Sequence, residues 1–175
     1  MKLIQAIHCY DVVMFHWFMS RKHLDLCARV SRWISRSGDG FLYPLVAAAL
    51  FAVDPHLGRA FFLCAFGGFL IERPLYFVLK NVLKRGRPEQ ALPDFRSFIV
   101  PSDRFSFPSG HTSAAFLMAS LLGYYFPALA APLFAWAAAV GLSRIFLGVH
   151  FPTDVLVGST MGSVIALISI KVLAA

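Results

Sequence analysis

From Phe105 to the C-terminus the sequence holds only three formal charges, Arg144, Asp154 and Lys171, across about seventy residues. A soluble domain keeps roughly a quarter to a third of its surface charged, so this part of the chain has no aqueous face to offer. Lipid is the solvent that fits. The whole sequence agrees, since 58% of its 175 residues are hydrophobic and 14% are charged, far from the balance of an ordinary globular domain.

A helix needs about 20 apolar residues to cross a hydrocarbon layer ~30 Å thick. Residues 57 to 82, 128 to 148 and 153 to 174 meet that length. Residues 109 to 126 form a shorter candidate that stops before Pro127, and residues 40 to 55 a fifth that needs its flanks or a thinner bilayer. The expected fold is therefore all-α, a polytopic transmembrane helical bundle of about five spans. Ahead of it, residues 1 to 39 mix apolar and charged side chains, with Leu24, Leu26, Cys27, Val30 and Ile34 recurring near helical spacing. They read as interfacial amphipathic helices, with Trp17 and Trp33 as anchors. Ser37 to Gly40 is a turn cluster. No repeat or second domain is visible, so residues 1 to 175 are expected to form one unit, with 40 to 175 as its transmembrane bundle.

The net charge of +7 is gathered in two basic clusters, Lys2 to Arg36 and Lys80 to Arg104, with a largely apolar run between them. That pattern suits anionic headgroups or a phosphorylated substrate better than nucleic acid. Cys9, Cys27 and Cys64 lie far apart and in no metal or redox motif, and are expected to be small buried hydrophobes. Glu72 and Arg73 are neighbours inside an apolar span, just before Pro74. Consecutive residues do not share a helix face, so each is expected to find a different partner.

Three polar constellations break the apolar pattern. Lys80 is followed, after six residues, by Arg87-Pro88; Pro108-Ser109-Gly110-His111-Thr112 opens an apolar helix; and Ser143-Arg144 is followed after five residues by His150 and after three more by Asp154. Separately each has a plain explanation: basic residues snorkel at a span's end, Ser109 caps a helix, Asp154 answers a helix dipole behind Pro152. None of these explains why histidines stand at 111 and 150. Together they supply a nucleophile, an acid, an orienting carboxylate and fixed cations, the parts that phosphoryl transfer needs.

These three constellations, in this order and spacing, resemble the signature motifs of the type-2 phosphatidic acid phosphatase family, and the apolar chain resembles its membrane lipid-phosphatase branch. The resemblance implies a phosphatase without metal or other cofactor, acting on a membrane lipid phosphate. His150 is the expected nucleophile, oriented by Asp154, and His111 the general acid and later base. Lys80, Arg87 and Arg144, with the Ser109 hydroxyl and the Gly110 and His111 amides, are the expected phosphate cradle. A two-histidine, one-carboxylate metal site is the rival reading, and three converging cations would repel such an ion.

Lys80 ends one span, His111 begins the next, Arg144 ends the one after and Asp154 begins the last, so alternating helices bring all four to one membrane face. Basic residues counted literally make that face cytoplasmic. Similar bacterial lipid phosphatases open outside the cytoplasm, so a bacterial-type inner membrane with the site facing the periplasm or outer leaflet is expected. Undecaprenyl diphosphate is the preferred substrate, with phosphatidylglycerophosphate, phosphatidic acid and lipid A phosphate as alternatives. Lipid-to-lipid phosphotransfer and a non-catalytic transporter or scaffold are the other functional classes open to such a chain.

Overall fold

The computed structural model describes residues 2 to 173. Its helices are α1 (Lys2–Met19), α2 (Leu24–Ser37), α3 (Leu42–Val53), α4 (Pro55–Leu83), the short α5 (Pro88–Ala91), α6 (Gly110–Tyr125), α7 (Ala130–Phe146) and α8 (Pro152–Leu173). A single 3-10 turn, Pro127–Leu129, leads into α7. No strand occurs among the described residues. All five apolar segments read from the sequence are helical, and three helical stretches, Pro55–Ala91, Pro127–Phe146 and Pro152–Leu173, are long and apolar enough to cross a bilayer.

The two shorter helices have different reasons to be short. With 12 residues α3 rises about 18 Å, well under the hydrocarbon thickness. It lies against α4. Helix α6 packs on α4, α7 and α8 at once, and its residues from Thr112 to Leu121 are buried apart from a partly covered Phe116. A helix enclosed by protein on every side does not need to match the bilayer by itself. The outer helices instead turn Phe66, Leu70 and Phe77 of α4 and Leu156, Val164 and Leu167 of α8 outward, the apolar exterior that lipid requires.

Close backbone approach ties α6 to α8. A Cβ on Gly162 would stand 2.0 Å from the Ser113 carbonyl oxygen, and one on Gly158 would stand 2.6 Å from that of Ser109. Small residues four apart allow this contact, the usual way for helices to associate where lipid gives no hydrophobic drive. The seam fixes the start of α6 against the start of α8, and the Ser109 amide donates to the Asp154 carbonyl at 3.0 Å.

The N-terminal helices do more than float at the interface. In α2 the face toward the protein carries Ala28, Ser31 and Ser35, while Leu26, Val30 and Trp33 point outward. In α1, Phe15 is fully buried, edge-on to Phe95 and Phe151. Asp11, one turn earlier, is fully buried as well. Two expectations are corrected. Only Cys64 of the three cysteines is buried, because Cys9 lies on the exposed side of α1 and Cys27 is half-covered. Arg73 pairs with Glu72 itself, Nε to Oε2 at 2.5 Å and Nη2 to Oε1 at 2.7 Å. The guanidinium stem is long enough to fold back along the helix to its neighbour, which a rule about Cβ directions misses.

Candidate active site

Lys80 sits in the last turn of α4 and Arg87 just before α5, and both turn toward Asp103 in the long loop that precedes α6. Lys80 Nζ is 2.7 Å from Oδ2, and Arg87 Nη2 is 2.5 Å from Oδ1. The Tyr76 hydroxyl donates to Asp103 Oδ2 at 2.6 Å and accepts from Lys80. Burial alone would push the Asp103 carboxyl up, but hydrogen bonds from Lys80 and Tyr76, the Lys80 charge and the Arg87 hydrogen bond outweigh it and hold it near 2. Arg87 also donates from Nη1 to the Val149 carbonyl at 2.6 Å, so the same guanidinium grips the peptide beside His150.

His150 follows a sharp turn at Gly148, whose φ of +74° favours glycine. Hydrogen bonds from Phe98 N to Leu147 O at 3.0 Å and from Ser97 Oγ to Gly148 O at 2.8 Å stitch the long loop to this turn. The imidazole is buried, with Nδ1 directed at Asp154 Oδ2 3.6 Å away, just beyond hydrogen-bond reach. Asp154 is held elsewhere: Phe151 N donates to Oδ2 at 2.8 Å and Arg85 Nη1 to Oδ1 at 2.7 Å. Burial, then the charges of Arg144, Arg87, Lys80 and His111, drive the His150 pKa well below the ordinary histidine value. The ring is therefore neutral at physiological pH, with Nε2 the nitrogen free of the aspartate side.

His111 opens α6 beside Gly110, and its Nε2 lies 2.8 Å from Asp39 Oδ1 in the turn between α2 and α3. Ser109 holds the N-cap position, yet its hydroxyl makes no cap hydrogen bond and pairs with Thr112 Oγ1 at 2.8 Å. Close packing against α8 buries Ser109 completely, so its hydroxyl does not face the cavity as expected from the sequence. Arg144, near the end of α7, donates to Ser35 Oγ of α2 and keeps a buried Nε without a partner.

His111, His150, Arg87, Arg144, Gly110 and Asp103 line one cavity of about 140 Å³. Lys80 meets it through Asp103 and Tyr76, which both line it, and Asp154 stands behind His150. Two larger spaces adjoin. An apolar groove of about 710 Å³ between α3 and α4 shares Gly40 and Arg73 with the cavity. A chamber of about 420 Å³ beside α2, with a mixed polar and apolar lining, shares Asp39, Ser102, His111 and Arg144 with it.

Residues 57 to 175 match the family described as the PAP2 superfamily. The chain belongs to that family. It is a multi-pass membrane phosphatase, a phosphoric ester hydrolase. The chain is 32% identical over 142 residues to the decaprenylphosphoryl-5-phosphoribose phosphatase of Mycobacterium tuberculosis, covering 79% of this chain and 76% of that one. It superposes on the crystal structure of Aquifex aeolicus LpxE with a TM-score of 0.78 and 29% identity, over 91% of this chain and 94% of that one. On the transmembrane PAP2-type phosphatidylglycerolphosphate phosphatase of Bacillus subtilis the TM-score is 0.74 at 30% identity, over 95% of this chain and 85% of that one.

Three carboxylates escaped the sequence reading. In the sequence Asp39 is a turn residue between two glycines, Asp103 lies in a polar loop, and Asp11 is one polar residue among many near the N-terminus. Arg85, within the basic cluster from Lys80 to Arg104, bridges Asp11 and Asp154 at 2.5 and 2.7 Å. No local pattern announces any of these pairings.

Proposed function

We propose that this phosphatase hydrolyses a lipid phosphate in two displacements through a phosphohistidine. One observation carries the reading: two histidines line a single cavity with Arg87 and Arg144, and that cavity borders an apolar groove with which it shares Gly40 and Arg73. A phosphomonoester brings about −1.5 to −2 of charge, which Arg87, Arg144 and Lys80 offset before any nucleophile approaches. His150 Nε2 attacks phosphorus; the P–N bond forms as the P–O bond to the lipid breaks, and His111 gives its proton to the departing oxygen. Water then attacks phosphorus and yields its proton to His111, and cleavage of P–N frees His150 and inorganic phosphate.

The 3.6 Å gap between His150 and Asp154 closes to a hydrogen bond as positive charge develops on the ring. The lipid chain occupies the groove between α3 and α4. The chamber beside α2, which His111 and Arg144 also line, admits water and releases phosphate. Lipids with a terminal phosphate on a prenyl, glycerol or sugar carrier all fit this scheme, and undecaprenyl diphosphate is the substrate we favour. The cavity opens toward the periplasm or outer leaflet of a bacterial-type inner membrane; a cysteine in place of Ser102 should react in intact cells with an impermeant thiol reagent.

The test is phosphate release by the purified protein in detergent from a panel of these lipids, with and without EDTA. We expect release that survives EDTA and is lost in His150→Ala. Release unchanged in that variant removes His150 from its role, and activity lost in EDTA and restored by a divalent ion removes the metal-free mechanism.

A further inference from the structure

Arg73 has no part in the two displacements, yet it stands where the reactive cavity meets the apolar groove. Among the described residues only Gly40 and Arg73 line both spaces, and Gly40 has no side chain. Arg73 is in α4 seven residues before Lys80, about 10 Å deeper along the helix. A cation at that depth is costly, and Glu72, fully buried, offsets it.

The pairing leaves half of the guanidinium in use. Nε and Nη2 present one edge to the two Glu72 oxygens, while Nη1 makes no hydrogen bond among the described residues. An arginine carries five N–H donors, and three of them, on the edge away from Glu72, remain for a bidentate acceptor. The ring of Tyr76, a wall of the cavity, lies beneath the guanidinium at 5.0 Å, and its hydroxyl belongs to the Lys80–Asp103 cluster. The side chain is thus held on one edge by a carboxylate and on one face by an aromatic ring. A pair that served stability alone would be matched by two well-packed apolar residues.

We propose that Arg73 is a specificity residue that binds a second phosphate lying between the scissile phosphate and the lipid chain. The inference rests on the lipid phosphatase reading above. A substrate whose tail fills the groove and whose terminal phosphate meets His150 must pass Gly40 and Arg73 on the way. In a lipid monophosphate that stretch is uncharged. In a diphosphate, or in a lipid whose terminal phosphate is separated from the tail by a phosphodiester, it carries an anion with paired oxygens that the free edge of Arg73 can grip.

Phosphate release should be measured for two matched pairs, farnesyl monophosphate against farnesyl diphosphate, and phosphatidic acid against phosphatidylglycerophosphate of the same acyl chains. Each is compared in the wild type, Arg73→Gln and the double variant Glu72→Gln/Arg73→Gln, which removes the buried carboxylate that the single change would orphan. Losing a charge-assisted contact should lower the kcat/KM ratio of the doubly phosphorylated to the singly phosphorylated lipid by about tenfold in at least one pair. Which pair responds tells whether an anhydride or a diester is read. A fall of less than about threefold in both pairs overturns the assignment while leaving the hydrolase reading intact. A wild type that releases phosphate from none of the four lipids overturns both.

Discussion

The buried cluster behind the nucleophile makes a quantitative demand. Among the described residues Arg85 is the single cation between Asp11 and Asp154, both fully buried, while its own side chain is 19% exposed. Thr153 completes the network, accepting from Arg85 at 2.7 Å and donating its amide to Asp11 at 2.9 Å, with a further hydroxyl contact to Asp11. In Arg85→Gln, among the described residues, Asp11 keeps Thr153 and Asp154 keeps the Phe151 amide and Ser106, with no arginine between them. Removing one partner of a buried ion pair costs about 3–5 kcal/mol, because the other charge stays behind unpaired. For a chain of this length each kcal/mol moves the melting temperature by about 2–4 °C, so a fall of about 6–20 °C is expected. Thermal unfolding of the detergent-solubilised protein, followed by tryptophan fluorescence, reads it directly. The double variant Asp11→Asn/Arg85→Gln removes one orphaned charge and should recover roughly half of the loss. An Arg85→Gln protein melting within about 2 °C of the wild type would refute the reasoning, as would a double variant that melts lower than the single one.

Three further outcomes follow from the geometry. Asp39→Ala should slow the first displacement on lipid alcohol phosphates, read in a single turnover, about tenfold or more but change the p-nitrophenol burst from p-nitrophenyl phosphate little, since a good leaving group needs no proton from His111; equal slowing of both would separate Asp39 from the acid. His150 must be neutral to attack, and its pKa is held well below the ordinary value of about 6.5, so the acid limb of kcat/KM should lie well below that value. An acid limb centred at 6.5 or above contradicts this. Gly162→Ala forces a methyl toward the Ser113 carbonyl and should cost about 1–3 kcal/mol, seen as a lower melting temperature; an unchanged melting point would mean that the α6–α8 seam gives way easily.

Much of this protein is written in one dimension. A stretch of about seventy residues with three charges dictates lipid as solvent, and lipid dictates helices, because every backbone polar group must then be satisfied within its own segment. The motif spacings put Lys80, His111, Arg144 and Asp154 at helix ends on one side of the bilayer, which is sufficient to expect a shared site. These are local properties, set by composition, helical rise and the cost of charge in hydrocarbon.

Partner choice is decided by contacts between distant parts of the chain. Asp11 meets Thr153 across 142 positions, and His111 meets Asp39 across 72. No spacing rule reaches that far. Helix α6 lies centrally because Gly158 and Gly162 let α8 press against its backbone, and that packing turns the Ser109 hydroxyl away from the cavity. Glu72 and Arg73 find each other because a long side chain folds back over its neighbour, a matter of flexible reach. Sequence set the solvent, the helices and the chemical groups available; packing set which carboxylate holds which cation, because in a low-dielectric interior each charge must pair with whatever the fold brings alongside it.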